Sequence, residues 1–162
     1  MKLSAIAQAA QRLVGNMCHA RVAAVIGATT TAVTTTGTGF YTIDGVARAV
    51  SALTNQALSA LAAADLPTAQ ANWLQPSGLG GAFYVQPANT TAYYVIGLNA
   101  AGTVKVVQGL YQGQQVQYPG GLTVIGDGTV PDVPDGFIPI TVMKIVSGGS
   151  TFTPGTTALT GI

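Results

Sequence analysis

Residues 91–108 read TAYYVIGLNAAGTVKVVQ, two runs of aromatic and β-branched residues on either side of Asn99-Ala100-Ala101-Gly102. Such side chains suit a pleated surface. The Asn-to-Gly interval reads as a tight turn, so the stretch predicts a β-hairpin, with Tyr93 and Val95 on one limb and Val104 and Val106 on the other at alternating positions. A second hairpin is written at Phe40-Tyr41-Thr42-Ile43, Asp44-Gly45 and Val46 to Val50. There the Asp-Gly pair supplies the two positive-φ residues that a two-residue turn needs. Outward from these hairpins come further short strands: Val22 to Ile26, the Thr-rich run Thr29 to Thr38, Phe83-Tyr84-Val85 before Pro87, and Leu122 to Ile125. Pro131, Pro134 and Gly136 impose an extended loop before a strand at Ile138 to Val146, and Phe152 to Ile162 reads as an extended packing segment. Short strands punctuated by turns predict a mainly β fold, an antiparallel β-sandwich or jelly-roll-like barrel.

Two stretches depart from that texture. Leu3, Ile6, Ala10, Leu13, Val14 and Met17 recur at spacings of three and four, with Gln8, Gln11 and Arg12 off that face. The spacing predicts a short amphipathic helix over residues 2–18, lying on its own core or gripping a neighbouring subunit. The chain therefore divides into an N-terminal helical arm, 1–20, and a β-rich domain, 21–162. Residues 51–64 (SALTNQALSALAAA) admit a helix, a loop or a covered edge.

Composition narrows the function. Charged residues are 7% of the 162, against roughly a quarter in an ordinary soluble domain, and all five acidic residues are Asp. With 48% apolar residues the chain has ample material for a core. Its polarity must come from neutral groups, above all 21 Thr with Gln and Asn. So little charge protects a free monomer poorly against association, which favours a subunit that buries its surface in an assembly. Lys2, Arg12, Arg21, Arg48, Lys105 and Lys144 are scattered and the net charge is +1, so no basic patch is available for nucleic acid. No apolar run approaches the ~18 residues of a membrane span, and Gln8, Gln11 and Arg12 interrupt any export core. A single cysteine, Cys18, rules out an intrachain disulfide framework.

Few residues carry reactive chemistry. Cys18 and His19 are sequence neighbours and read as a packed helix end rather than a nucleophile–base pair. Asp127, Asp132 and Asp135, in IGDGTVPDVPDG, offer hard oxygen ligands on turns and are the weak candidate for a cation site. Their spacing is not that of an EF-hand, and Asp also favours turns for its own backbone hydrogen bonding. The same Asp loops with Trp73 could serve a small carbohydrate-binding module. Neither Gly37-Thr38-Gly39 nor Gly126-Asp127-Gly128 opens a helix as a phosphate cradle does. The expectation is a non-enzyme without metal or cofactor.

Four phrases, FYTIDGV at 40–46, TAYYVIGLNAAGTVKVVQG at 91–109, PDVPDGFIPITVMKIV at 131–146 and STFTPGTTAL at 150–159, occur in this order. Together they resemble structural proteins of tailed-bacteriophage virions, most of all capsid decoration (cement) and head-fibre proteins. The resemblance implies a β-rich homotrimer that is made in the host cytoplasm, coats or projects from the capsid exterior, and binds the major capsid protein and itself. It supplies no catalytic residues, no nucleic-acid partner and no membrane. Expected contacts fall on the helix face (Leu3, Ile6, Leu13) and on the Thr29-to-Thr38 edge (Thr31, Val33, Thr35). The alternative is a tail, baseplate or receptor-binding fibre component of the same kind of particle.

Overall fold

The hairpin at 91–108 is the centre of the fold. The structure, a computed structural model, describes residues 17–20, 23–28, 30–43, 46–61, 85–117, 123–131, 133–134 and 137–159. Its strands are β1 (Met17–Ala20), β2 (Ala23–Ile26), β3 (Ala32–Thr36), β4 (Gly39–Ile43), β5 (Val46–Val50), β6 (Gln56–Ala57), β7 (Thr91–Leu98), β8 (Val104–Gln108), β9 (Gln115–Gln117), β10 (Thr123–Ile125) and β11 (Ile138–Val146). They form sheets in the orders β11-β7-β8, β1-β4-β5, β2-β3-β6 and β10-β9, with every strand pair antiparallel. No helix occurs among the described residues. The molecule is mainly β.

β7 and β8 meet at Leu98 opposite Val104. In the turn, Asn99 Oδ1 accepts from the N–H of Ala101 (3.1 Å) and of Thr103 (2.9 Å), and Gly102 holds φ +78°. Only a residue without Cβ takes that φ at little cost, so the Asn and the Gly together determine where the chain reverses. β11 runs along the other side of β7 from Ile138 opposite Leu98 to Val146 opposite Thr91, with a bulge between Pro139 and Thr141. Residues 59–61 cover the outer side of β8, where Val106 N–H donates to Ser59 O (2.9 Å) and Leu61 N–H to Val106 O (3.1 Å).

β7 and β8 are buried on both faces of this sheet, whereas β11 exposes Val142, Lys144 and Val146. On one lie Tyr94, Ile96, Leu98, Val104, Val106, Ile138 and Ile145, packed with Val33, Tyr41, Leu58 and Phe152. On the other, Val95 and Val107 pack with Leu61 and Phe137. Burial on both sides explains why Tyr94 to Leu98 is uniformly buried rather than alternating, as is usual for the covered strands of a central sheet.

Polar groups inside this core are satisfied. The fully buried Gln86 pairs its backbone with Phe152 in both directions (2.9 Å each), while its Nε2 donates to the carbonyls of Thr90 (2.9 Å) and Ile145 (3.2 Å). Its Oε1 accepts from the Tyr94 hydroxyl at 2.9 Å, and that hydroxyl accepts from Gln108 Nε2 at 3.3 Å. Phe152 meets the Tyr94 ring edge-on at 5.7 Å. No buried side-chain polar atom among the described residues lacks a partner.

The structure corrects two expectations and decides a stretch that the sequence left open. Met17 and Cys18, placed at the end of a helix, form strand β1, with Met17 opposite Thr42 and Cys18 opposite Tyr41. A cross-strand ladder there overrides the three-and-four spacing; residues 1–16, with the rest of the expected helix, lie outside the described residues. Residues 51–61 form no helix: Leu58, Ala60 and Leu61 are buried against the core and the backbone of 59–61 pairs with β8, which outweighs the helix preference of Ala and Leu. The Thr-rich run is no free edge: β3 has β2 on one side and β6 on the other, and beyond β6 Thr35 N–H donates to Leu53 O (2.8 Å).

Candidate functional site

The Asp-rich loop follows β10. Asp127 is exposed and turns on itself: its Oδ1 accepts from the Thr129 hydroxyl (2.7 Å) and from the Thr129 N–H (3.1 Å), beside Gly128 at φ +71°. The Thr129 hydroxyl and then its N–H hold the Asp127 carboxyl below the usual carboxylate range. Asp127 thus does what a turn Asp does, closing a local loop with its own backbone. Asp132 and Asp135 lie outside the described residues, as does Trp73. Among the described residues no group of three or more His, Cys, Asp or Glu is positioned to hold a metal.

Cys18 and His19 occupy successive positions of β1. The buried Tyr94, Gln86 and Gln108 form a closed set of hydrogen bonds under Phe152, which makes them architecture. Burial pushes the Tyr94 phenol well above its ordinary value, with Gln108 pulling slightly the other way.

Surface chemistry lies elsewhere. Large apolar side chains stand exposed at Val25 and Ile26 on β2, Phe40 on β4, Val46 on β5, Ile125 on β10, and Val142 and Val146 on β11. β5 is the extreme case, with Val46, Ala47, Arg48 and Ala49 all exposed. Successive residues of a strand point to opposite faces, so this strand is open to solvent on both. These exposed apolar side chains are carried on strands of all four sheets, with the exposed Arg48 and Lys144 among them.

Of the contact residues expected from sequence, Leu3, Ile6 and Leu13 lie outside the described residues. Thr31 is half-buried at the turn into β3, whereas Val33 and Thr35 are only 4% and 3% exposed and face the protein's own core. That burial leaves Val33 and Thr35 little surface to offer another molecule. Sequence reasoning read Val46 to Val50 as the second limb of a hairpin and did not mark it as a surface strand; the available signals were the small Ala47 and Ala49 on one face and Arg48 on the other. No protein-family model, curated protein or solved structure matches this chain.

Proposed function

We propose that this protein is a non-enzymatic structural component of a tailed-bacteriophage particle, which binds the exterior of the assembled capsid and stabilises or decorates it as a homotrimer. The observation that carries the reading is that valine, isoleucine and phenylalanine side chains stand exposed on strands of every sheet, while the buried amides and hydroxyls are hydrogen-bonded within the molecule. A subunit of this kind gains by burying its surface against a shell and against its own copies. Binding only the assembled state displaces the assembly equilibrium toward the shell, and no reactive group is needed for that. Three copies on a local three-fold axis bury each apolar patch three times over.

The sandwich form belongs to the same reading. Val33 of β3 and Tyr41 of β4 pack on the core face of the β11-β7-β8 sheet, which supports two facing layers with Phe152 and Leu58 between them.

The test is light scattering of the purified protein, alone and after mixing with empty capsids of the phage that encodes it. A trimer that co-sediments with capsids is the expected result. A protein that leaves capsids bare but co-sediments with tails moves it to the tail, baseplate or fibre; one that binds neither overturns the virion role.

A further inference from the structure

We infer that the Asp127–Gly128 pair is a modification site, at which aspartate isomerises to isoaspartate, and that the Thr129 hydroxyl is the brake on that reaction. Asp-Gly pairs occur at 44–45, 127–128 and 135–136, and the second lies within the described residues. The chemistry needs only a carboxyl group, the backbone nitrogen of the next residue and water. The Gly128 nitrogen attacks Cγ of Asp127, the new C–N bond closes a five-membered succinimide, and the nitrogen's proton leaves with the carboxyl OH as water. Water then opens the ring. Breaking the new C–N bond restores aspartate, while breaking the original peptide C–N bond leaves the main chain running through Cβ and Cγ as isoaspartate.

The two reacting groups are differently placed. Asp127 is exposed, and the Gly128 N–H donates to no described residue, so no hydrogen bond has to be given up before the nitrogen attacks. Gly128 has no Cβ to crowd the approach, and its φ of +71° costs a glycine little. The restraint is on the carboxyl side. Asp127 Oδ1 accepts from the Thr129 hydroxyl at 2.7 Å and from the Thr129 N–H at 3.1 Å. Donors on a carboxylate favour its charged form, and a charged carboxylate has no OH to lose. The shorter bond belongs to the hydroxyl, so it is the part of the restraint that a substitution can remove.

Isomerisation inserts one extra carbon into the main chain between fixed points. Gly126 N–H donates to Gln114 O (2.7 Å), and Gly113 N–H donates to Gly126 O (2.9 Å). On the other side of the pair, a Cβ added at Gly109 would lie 3.0 Å from Thr129 O. The loop is therefore packed against residues 109–114 at both ends. A longer main chain there strains the β10–β9 pairing, which ends at Ile125 opposite Gln115.

The test is incubation of the protein in mildly acidic buffer, followed by peptide mapping with electron-transfer fragmentation, which separates the two isomers at equal mass. The same chain unfolded in denaturant supplies the unrestrained rate. Isoaspartate at 127 is expected to build up severalfold more slowly in the folded protein than in the unfolded chain. Folded Thr129→Val should convert severalfold faster than folded wild type, and Thr129→Ser, which puts the hydroxyl back, at nearly the wild-type rate. Folded rates are read below the denaturation midpoint of each variant, so unfolding cannot imitate the rise. No isoaspartate at 127 in the unfolded chain would overturn the site. A folded wild type as fast as the unfolded chain, a Thr129→Val rate at or below wild type, or a Thr129→Ser rate equal to that of Thr129→Val would overturn the brake.

Discussion

The β11-β7-β8 sheet and the β4–β5 hairpin are built from similar residues and have opposite fates. Both are rich in valine and aromatic side chains, and both turn where Asn or Asp and Gly occur. The first is covered at β7 and β8 on its two faces, by Tyr41, Leu58 and Phe152 on one and Leu61 and Phe137 on the other, and even its Gln108 is enclosed and satisfied. The second exposes Phe40 and four successive residues of β5. The difference teaches that residue type alone does not decide what is core. What decides is whether other segments of the chain cover a strand.

Substitutions can sharpen or break that contrast. The largest loss is expected for Phe152→Ala, which empties the space against Tyr94 and should cost about 3–5 kcal/mol in chemical denaturation. Next comes Gly97→Ala. An added Cβ would run into the Ile138 carbonyl and the Phe137 ring, and because one of these is backbone the cost should approach the upper end of about 1–3 kcal/mol. Tyr94→Phe removes the hydroxyl shared by Gln86 and Gln108 and leaves two buried amide groups to find each other, for about 1–3 kcal/mol.

The same tyrosine gives a pH test. Its folded-state pKa is raised above the unfolded value of ~10, so its contribution is fully present below that pH and is lost as pH rises through it toward the folded value. Wild-type protein should lose stability in that alkaline range more steeply than Tyr94→Phe; parallel curves would remove the phenol from the account. At the small end, Val46→Thr on the exposed hairpin should change stability by no more than about 0.5 kcal/mol at dilutions where the chain is monomeric. A loss of several times that would mean β5 is covered within one molecule.

Much of the fold was legible. Asn99 with Gly102 and Asp44-Gly45 marked both hairpins, since turn chemistry is local, and Ile138 to Val146 appears as a strand with those bounds. β9 was not legible: Gln115-Val116-Gln117 is three residues long and owes its pairing to β10. Gln86 and Gln108 read as surface polarity because nothing nearby in sequence announces the Tyr94 hydroxyl or the Ile145 carbonyl that satisfies them. The Ala-Leu content of 51–61 pointed at helix as readily as at the non-helical path it takes, and only the groove beside β8 settles it. As for a site, the Asp loop was visible and Asp127 proves to be a turn-former, while the open strand Val46–Val50 was legible only as the limb of a hairpin.

The bridge between Gln86 and Phe152 and the bond from Leu159 N–H to Thr30 O (2.8 Å) tie late residues to early ones. During synthesis, the hairpin at 91–108 can form as soon as it leaves the ribosome, but the layer holding Thr30 cannot be locked until residue 159 has emerged. Contacts so distant along the chain make folding slow. Until then the strands that expose apolar side chains are accompanied by those that will be buried, so the nascent chain stays adhesive at least until residue 159 has emerged.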